Sequence, residues 1–506
     1  MSRKVYSAVI VGIDAMPVEV ETDLSFGLHS FSLVGLPDAS VKESKERISA
    51  AIKNSGASPP TAHNRKVIVN LAPADLRKEG PLYDLPIAMS FLLASEQVTF
   101  DPAKKMFVGE LGLDGTVRRV AGVLPTVIMA KREGFEEVII PRDNMREASL
   151  VRDITLIPVS SVRELIEHLE GTQSITASRE IPKQISREDM LDFSEIKGQE
   201  SAKRALEIAA AGLHNILLSG PPGSGKSLLA KAIPSILPDF EEDEMIEVTK
   251  IYSVAGALDG NEYVVNTRPV RMPHHTSSHV ALIGGGADIR PGEITLAHRG
   301  VLFLDEFPEF SRQALESLRE PLEEGRVVVS RASGSVRYPA RFMLVAAMNP
   351  CPCGFYGDEK KDCICTPSQI ARYTKKISGP LLDRIDIHIE VPNISHEKLR
   401  EEGGGEQSSH IQERVMNARR KQQARYQEDG LHSNAELSLK TIKKHCTLDA
   451  KTEELFLQIC KKYDLSARAY HRILKVARTI ADLAGSESIE TPHLLEAVQL
   501  RIKAER

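Results

Sequence analysis

The chain has 506 residues, a length that suggests about three domains. Hydrophobic residues make up 42% and charged residues 27%, and the net charge of -5 excludes a uniformly basic nucleic-acid binder, so any basic surface must be local. No apolar run approaches the roughly 18 residues that a membrane-spanning helix needs, and Asp14 interrupts the N-terminal segment, which fits a first β-strand better than a signal peptide. We therefore expect a cytoplasmic protein with no membrane partner.

The first block of the chain, residues 1–170, alternates short Val- and Ile-rich runs with helical patterns. Residues 67–69 and 138–140 are typical of strands, and residues 42–53 have the apolar spacing of a helix. This alternation predicts a layered α+β or α/β domain. Residues 171–187, which are rich in Ser, Thr and charge, predict a linker.

A phosphate-binding motif opens the second block. Residues 214–219 predict a buried strand that runs directly into the sequence G-P-P-G-S-G-K-S, and residues 228–236 continue as a helix. In such a loop, backbone N–H groups and the helix N-terminus bind phosphate oxygens, the lysine reaches the β- and γ-phosphates, and the hydroxyl after it ligates Mg²⁺. The pattern therefore predicts binding of ATP and Mg²⁺. The residues of the loop are Gly220, Pro221, Pro222, Gly223, Ser224, Gly225, Lys226 and Ser227.

Two further apolar runs end in polar side chains suited to nucleotide hydrolysis. Residues 301–304 lead into Asp305 and Glu306, at the end of a strand that faces the ligand crevice in a parallel sheet. Asp305 would hold Mg²⁺ through water, and Glu306 would polarise the attacking water as a general base. Residues 342–348 end in Asn349, which could orient that water, although a turn before a proline explains an isolated asparagine equally well.

Four of the six cysteines lie within fifteen residues, as two C-x-C pairs. Four thiolates suit tetrahedral zinc, although C-x-C is tighter than the usual C-x₂-C spacing. Four reduced cysteines in a loop without metal are the alternative. We expect zinc, which would stiffen the loop after Asn349. The four residues are Cys351, Cys353, Cys363 and Cys365.

Three histidines, His274, His275 and His279, form an H-H-x₃-H pattern. This pattern could bind a metal, but histidines that only make hydrogen bonds produce it more often. We favour the second interpretation.

The rest of the chain predicts a nucleotide-binding core followed by helices. Residues 188–395 alternate strands and helices as a parallel sheet requires, and Arg384 follows G-P-L-L-D near the end of this block. An arginine at a domain edge is usually solvated, but a neighbouring subunit could receive this one as an arginine finger. Residues 396–410 predict a flexible connection, and residues 411–506 have helical periodicity throughout.

Several stretches resemble the Mg-chelatase-like branch of the AAA+ ATPases, and within it the ComM/YifB type. The most specific are P-H-H-T-S-S-H-V-A-L-I-G-G-G from Pro273, P-G-E-I-T-L-A-H-R-G-V-L-F-L-D-E from Pro291 and A-A-M-N-P-C-P-C-G from Ala346. The resemblance covers the whole chain and implies an α/β fold, with an AAA+ P-loop domain, a helical lid and assembly into a homohexamer.

The resemblance also implies roles for single residues. These roles are Walker A for Lys226 and Ser227, Walker B for Asp305 and Glu306, sensor 1 for Asn349, the arginine finger in trans for Arg384 and sensor 2 for Arg468. It further implies an insert around residues 264–290. A second insert at residues 325–341 has the alternation of a β-hairpin with a turn at Ser333 and Gly334, and in related rings such hairpins line the pore.

The first block resembles the α+β protease domain of Lon (an S5-like fold) and the matching domain of RadA, through residues 109–118 and G-F-E-E-V-I-I-P from Gly134. Lon proteases carry the nucleophilic serine directly after a D-G-P segment, but here Pro81 is followed by Leu82. The helix that should carry the catalytic lysine has Leu-Pro-Thr at residues 124–126. Since neither nucleophile nor base is in place, we predict no peptidase activity and a scaffold or DNA-facing platform.

Two functions fit this sequence. The resemblance implies a DNA helicase or branch-migration motor in recombination or natural transformation, and Arg326, Arg331 and Arg337 on the hairpin would bring positive charge to the phosphates of single-stranded or branched DNA. The basic helix at residues 411–425 could also contact DNA, but a solvated lid helix explains its charge at least as well. The alternative is a chelatase-type motor subunit that remodels a protein partner; the first block and the P-H-H-T-S-S stretch favour the DNA motor.

Overall fold

The computed structural model describes residues 4–62, 64–176, 190–258, 264–286, 290–331, 334–358, 361–394 and 405–501. These residues form two compact units, the first from 1–184 with 242–266 and the second from 185–241 with 267–506. Most of the predicted linker at 171–187 and of the predicted connection at 396–410 lies outside the described residues. None of the described helices is long and apolar enough to cross a membrane.

A mixed sheet forms the centre of the first unit. The strands of this unit are β1 (Lys4–Val11), β2 (Asp14–Phe26), β3 (Ser30–Val34), β4 (Arg65–Ala72), β5 (Lys105–Phe107), β6 (Glu110–Leu111), β7 (Val117–Arg118), β8 (Glu137–Pro141) and β9 (Thr155–Val159). Seven of them are joined in the order β3-β4-β2-β1-β5-β8-β9, and β6 pairs with β7. β1, β2 and β4 are antiparallel neighbours, whereas β5, β8 and β9 run parallel. The strands predicted at 67–69 and 138–140 lie in β4 and β8.

Helices cover this sheet with apolar faces. They are α1 (Ala39–Asn54), α2 (Asp84–Ala94), α3 (Val123–Arg132), α4 (Met145–Ala148) and α5 (Val162–Leu169). α1 begins where the Asp38 side chain accepts the N–H of Val41 at 2.7 Å, and its buried residues recur at helical spacing, which confirms the helix predicted at 42–53. α2 is apolar nearly all round and is therefore buried along its length, against β1 and β2.

A parallel sheet forms the centre of the second unit. The strands of this unit are β10 (Ile216–Ser219), β11 (Val270–Arg271), β12 (Gly284–Gly285), β13 (Arg290–Pro291), β14 (Val301–Leu304), β15 (Arg326–Arg331), β16 (Gly334–Pro339), β17 (Met343–Met348) and β18 (Ile387–Glu390). Five of them are parallel in the order β11-β14-β17-β10-β18. β10, β14 and β17 are buried on both faces, as their continuous apolar runs predict.

Two antiparallel pairs form separate two-stranded sheets, β12 with β13 and β15 with β16. The second pair is the hairpin that the alternation of residues 325–341 predicts, in register from Arg326 opposite Pro339 to Arg331 opposite Gly334. Ser333 of the predicted turn lies outside the described residues.

The remaining helices are α6 (Glu200–Gly212), α7 (Lys226–Ala232), α8 (Glu242–Ala255), α9 (His279–Ile283), α10 (Glu293–Leu296), α11 (Arg312–Ser317), α12 (Arg319–Glu324), α13 (Pro367–Thr374), α14 (Gly379–Leu382), α15 (Ser408–Tyr426), α16 (Leu439–His445), α17 (Ala450–Lys462), α18 (Ala467–Ala484) and α19 (Thr491–Gln499). α8 belongs to the first unit, where the N–H of Gly122 donates to the carbonyl of Ser253 at 3.0 Å. The others belong to the second unit.

The C-terminal helices share one apolar core with the parallel sheet. Ile216 of β10 and Ile473 of α18 lie in the same buried cluster. Buried polar contacts reinforce this packing, since His214 Nε2 lies 2.7 Å from Thr479 Oγ1. The helical C-terminal region is therefore fixed to the sheet that carries the phosphate-binding motif, and its helices agree with the periodicity of residues 411–506.

Candidate active site

The predicted phosphate-binding loop joins β10 to α7. Gly223 and Gly225 have φ angles of 79° and 93°, a backbone region that residues with a Cβ rarely adopt. The loop also lies close to other backbone, because a Cβ on Gly220 would stand 2.1 Å from the carbonyl oxygen of Val391. The glycine positions of the motif therefore allow this loop to turn tightly at the end of the sheet.

Lys226 is the first residue of α7, and its ammonium group lies inside the loop. Its Nζ donates to the carbonyls of Gly220 at 2.7 Å and Pro221 at 2.8 Å, and to Asn349 Oδ1 at 3.2 Å. Burial lowers the pKa of Lys226, and the charge of Asp305 opposes that shift. The ammonium group of Lys226 thus lies inside the loop, where phosphate oxygens would compete with these carbonyl oxygens for its hydrogen bonds.

Ser227 and Asp305 meet beside the loop. The Ser227 hydroxyl donates to Asp305 Oδ2 at 2.6 Å, and Asp305 follows the last residue of β14. A hydroxyl and a carboxylate are oxygen ligands of the kind that Mg²⁺ prefers. These two residues, predicted from separate motifs, therefore could hold one magnesium ion between them.

Glu306 has a contact that the sequence did not predict. Its backbone is left-handed at φ 50°, and its Oε2 lies 3.0 Å from Nδ1 of His275, which belongs to the P-H-H-T-S-S stretch. The His274 ring lies beside that of His275, with centroids 4.2 Å apart and planes tilted by 34°, and His274 Nδ1 lies 2.9 Å from Thr276 Oγ1. Among the described residues, His274 and His275 thus each contact a polar side chain, Thr276 and Glu306, and the preference for hydrogen bonds over a metal stays a prediction.

Asn349 follows β17, the strand beside β10. The two strands are parallel, with Met348 opposite Ser219, and the N–H of Gly220 donates to the Met348 carbonyl at 3.2 Å. This register brings Asn349 to the phosphate-binding loop, where it contacts Lys226. The sheet thus assembles Lys226, Ser227, Asp305, Glu306 and Asn349 at one edge, as expected for the carboxyl ends of parallel strands.

Arg384 and Arg468 form a second charged region. Arg384 is buried, donates to the Pro380 carbonyl at 2.7 Å and pairs with Glu323. Arg468 is exposed on the first turn of α18. Burial lowers the pKa of Arg384, and the nearby guanidinium groups of Arg468 and Arg319 lower it further. Among the described residues, no hydrogen bond or ion pair joins these two arginines to the loop that carries Lys226.

The four clustered cysteines converge in the loop after Asn349. Their sulfur atoms all lie within 4.8 Å of one another, and all four thiols are free. The backbone N–H of Phe355, followed by that of Ile364, lowers the pKa of Cys353 to about 6. In the described part of the chain this is the one group of three or more metal-ligating side chains close enough to hold an ion.

Gln199 is a further residue at the site that the sequence did not reveal. It precedes α6 in a left-handed conformation, φ 60°, and its Nε2 donates to the carbonyls of Ser224 at 3.1 Å and Pro392 at 2.6 Å. Gln199 therefore links the phosphate-binding loop to the segment after β18. A Gly-Gln pair directly before a helix was the available signal, but a single Gln is too common to single out.

The basic residues differ in how far they are available to a ligand. On the hairpin, Arg326 pairs with Glu324 at 2.6 Å, whereas Arg337 is exposed; the side chain of Arg331 is not described. On α15, Arg414 pairs with Glu207 at 2.6 Å and Arg425 pairs with Asp482 at 2.5 Å. Two of the five Lys and Arg side chains of α15 thus form ion pairs with other helices of the same chain, Arg414 with α6 and Arg425 with α18.

In the first unit, the residue that the resemblance to Lon would align with the catalytic serine is a buried leucine. Leu82 is 9% exposed, and Leu124, Pro125 and Thr126 are buried in α3. Leu82 offers no hydroxyl and residues 124–126 offer no amine, so the absence of peptidase activity stays a prediction.

Family models for the magnesium chelatase ChlI subunit match three parts of the chain. "Subunit ChlI of Mg-chelatase" matches residues 20–144, "Magnesium chelatase, subunit ChlI" matches 192–399, and "Magnesium chelatase, subunit ChlI C-terminal" matches 405–501. These matches confirm the predicted α/β fold, an AAA+ P-loop domain with a helical domain after it, and imply ATP and Mg²⁺ as cofactors.

Curated relatives cover nearly the whole chain. It is 44% identical to "Competence protein ComM" of Haemophilus influenzae, in an alignment that covers 98% of this chain and 97% of that protein. It is 42% identical to "Uncharacterized protein YifB" of Escherichia coli, in an alignment that covers 98% of this chain and 96% of that protein. The "Magnesium-chelatase 38 kDa subunit" of Rhodobacter capsulatus is 32% identical over 31% of this chain and 50% of that protein. The chain therefore belongs to the ComM/YifB type of the Mg-chelatase-like AAA+ ATPases.

Proposed function

We propose that the chain is an ATP-driven, hexameric ring motor that acts on single-stranded or branched DNA, as a helicase or branch-migration translocase in recombination or natural transformation. The observation that carries the proposal is the 44% identity along almost the full length of a competence protein, since competence is the uptake of DNA. Such a motor would work in the cytoplasm with ATP and Mg²⁺, and with Zn²⁺ at the four cysteines.

The geometry supports a role in hydrolysis for each residue at the loop. ATP with Mg²⁺ would supply the phosphates and the electrophilic phosphorus. Lys226 would exchange the Gly220 and Pro221 carbonyls for phosphate oxygens, because these carbonyls are its present acceptors. Ser227 and Asp305 would hold Mg²⁺, Glu306 would accept the proton of the attacking water, and Asn349 would orient that water.

The arrangement of the two arginines favours a shared site between subunits. Arg384 and Arg468 lie together, and like charge disfavours the charged form of Arg384. A neighbouring subunit's triphosphate would relieve this repulsion, with Arg384 as the finger and Arg468 as sensor 2. Glu323, which pairs with Arg384 in the single chain, would have to release it on assembly.

Two surfaces would belong to the DNA pathway. The hairpin of β15 and β16 would line the pore, with Arg337 as its exposed cation that has no ion pair among the described residues. The first unit would serve as a scaffold or DNA-facing platform without peptidase activity. Caseinolysis that requires ATP and disappears with a single substitution in this unit would contradict that role.

A chelatase-type motor subunit that remodels a protein partner is the second candidate. The observation in its favour is that all three matching family models describe a magnesium chelatase subunit. Against it, the chelatase relative matches 31% of the chain, whereas the competence protein matches 98%. The nucleotide site alone fits both candidates.

The deciding experiment measures the ATPase rate with single-stranded, forked and four-way-junction DNA, together with strand displacement. We expect DNA to stimulate turnover and the motor to displace strands, with the Lys226→Ala variant inactive in both assays. Turnover that no DNA stimulates, with no strand displacement, would support the protein-remodelling candidate instead. No turnover in the wild type under any condition would contradict both.

A further inference from the structure

The four cysteine sulfurs have the spacing of ligands around one ion. The sulfur of Cys351 lies 3.4 Å from that of Cys353 and 3.7 Å from that of Cys363, and Cys353 and Cys363 are 3.6 Å apart. Four sulfurs bound at about 2.3 Å to a tetrahedral zinc ion lie about 3.8 Å from one another. Larger iron–sulfur clusters hold their cysteines farther apart, so these distances fit a single metal ion.

The backbone around the cysteines is also folded as a metal loop. The N–H of Gly354 donates to the Cys351 carbonyl at 3.0 Å, which closes a tight turn, and Cys351 is fully buried. The loop is closed on its far side by Asp358, which accepts the Asn393 amide at 2.8 Å and the N–H of Lys361 at 3.0 Å. These turns hold the sulfurs together at a defined place, with Cys351 buried and the other three cysteines half-buried.

This loop touches the phosphate-binding loop at Gly354. Gly354 has φ 86°, and a Cβ on it would stand 2.4 Å from Cδ of Pro222. Cys351 also follows Asn349 by two residues, and Asn349 contacts Lys226. The cysteine loop therefore abuts the nucleotide site at two points, one at the ring of Pro222 and one through the side chain that would orient water.

From these contacts we infer that the four cysteines bind one Zn²⁺ and that this metal site braces the phosphate-binding loop, so that zinc occupancy controls the affinity for ATP. Zinc carries no redox chemistry and closed four-sulfur sites are structural, so the metal acts through geometry. Loss of zinc frees Gly354 and Pro222 from each other and loosens the loop before the helices and sheets unfold. The link to ATP rests on the proposed nucleotide site.

The metal is tested on the full chain purified under reducing conditions. Elemental analysis is expected to give about one zinc per chain, and Co²⁺ exchanged into the site is expected to show the visible bands of tetrahedral thiolate coordination. Cys353→Ser with Cys365→Ser should lose the metal, whereas Cys460→Ser, a half-buried lid cysteine outside the cluster, should keep it. Protein without zinc, or with iron in its place, would overturn the assignment.

The contact between the cysteine loop and the phosphate-binding loop is tested without changing a cysteine. Gly354→Ala should keep the zinc and raise the KM for ATP several-fold, because its new methyl group meets Pro222 and also strains the backbone at φ 86°. Pro222→Ala removes the atoms that clash, so the double variant should recover part of the lost affinity, as a double-mutant cycle detects. The inferred support of the phosphate-binding loop would be overturned by an unchanged KM in Gly354→Ala. It would also be overturned if the effects of Gly354→Ala and Pro222→Ala on the KM simply add in the double variant.

Chelation of zinc from the wild type supplies a second readout if the cysteine variants fail to fold. Binding of a fluorescent ATP analogue should weaken as zinc is withdrawn and recover when zinc returns, while far-ultraviolet circular dichroism stays constant. Analogue binding that is independent of zinc would contradict the inference. A wild type that binds the analogue without hydrolysing ATP would contradict the proposed function alone.

Discussion

The two charged regions of the second unit are organised differently. At the phosphate-binding loop, Lys226 donates to two carbonyls and Ser227 donates to Asp305, so each polar group has a partner in its own chain. At the other region, burial and the guanidinium of Arg468 both lower the pKa of Arg384. A group whose charge is opposed by like charges gains from an added anion. Arg384 also has a partner in its own chain, Glu323, but the like charges beside it mean that an anion from outside would stabilise it further.

The sharpest test of this difference removes Arg384. We expect Arg384→Ala to lower ATP turnover by about 10³-fold, the size typical of a missing arginine finger, while ATP binding to the same chain is kept. Turnover is measured at saturating ATP, and binding is measured with a fluorescent ATP analogue. Full ATPase activity in this variant would remove Arg384 from the mechanism.

Lys226→Ala is the matched change in the other region. We expect turnover to fall by about 10²-fold or more, this time with weakened nucleotide binding, because Lys226 would bind phosphate in its own chain. A mixture of the two inactive variants should regain activity, since an Arg384→Ala subunit keeps an intact loop and a Lys226→Ala subunit keeps an intact arginine. If mixing restores nothing at any ratio, the two regions do not meet between subunits.

The strands and the hairpin of the second unit could be predicted from the sequence, whereas the contacts between distant segments could not. Local patterns located β10, β14, β17 and the hairpin, because strand periodicity and glycine spacing act over a few residues. The contacts of His275 with Glu306 and of Gln199 with Ser224 join segments distant in the chain, and no local spacing encodes them. The same holds for α8, which lies between two motifs of the nucleotide site in sequence but belongs to the first unit.

The hairpin also carries one arginine with a partner in its own chain and one without a described ion pair. Arg326 already has Glu324 as a partner, whereas Arg337 is exposed with no ion pair among the described side chains. Arg337→Ala should therefore weaken DNA binding several-fold and reduce the slope of log affinity against log salt by about 0.7 to 0.9, with the ATPase rate in the absence of DNA unchanged. Arg420→Ala on α15, an exposed lid position, is the control. Equal effects of the two changes would place the DNA on the lid instead.

Substitution of His275, the partner of Glu306, has the smallest expected effect on ATP turnover. The partners of Lys226 and Ser227 lie where phosphate and Mg²⁺ would bind, so ATP itself can displace them. The partner of Glu306 comes instead from the P-H-H-T-S-S stretch, and its Nδ1 holds Oε2 at 3.0 Å. A carboxylate with one oxygen held in this way is less free to turn toward water.

His275→Ala should therefore raise kcat without DNA about threefold and leave the KM for ATP unchanged. His275→Asn, which keeps an N–H donor, should resemble the wild type, as should His279→Ala in the same stretch. A fall in kcat for His275→Ala, rescued by Asn, would mean that the histidine aligns Glu306 for catalysis instead of restraining it.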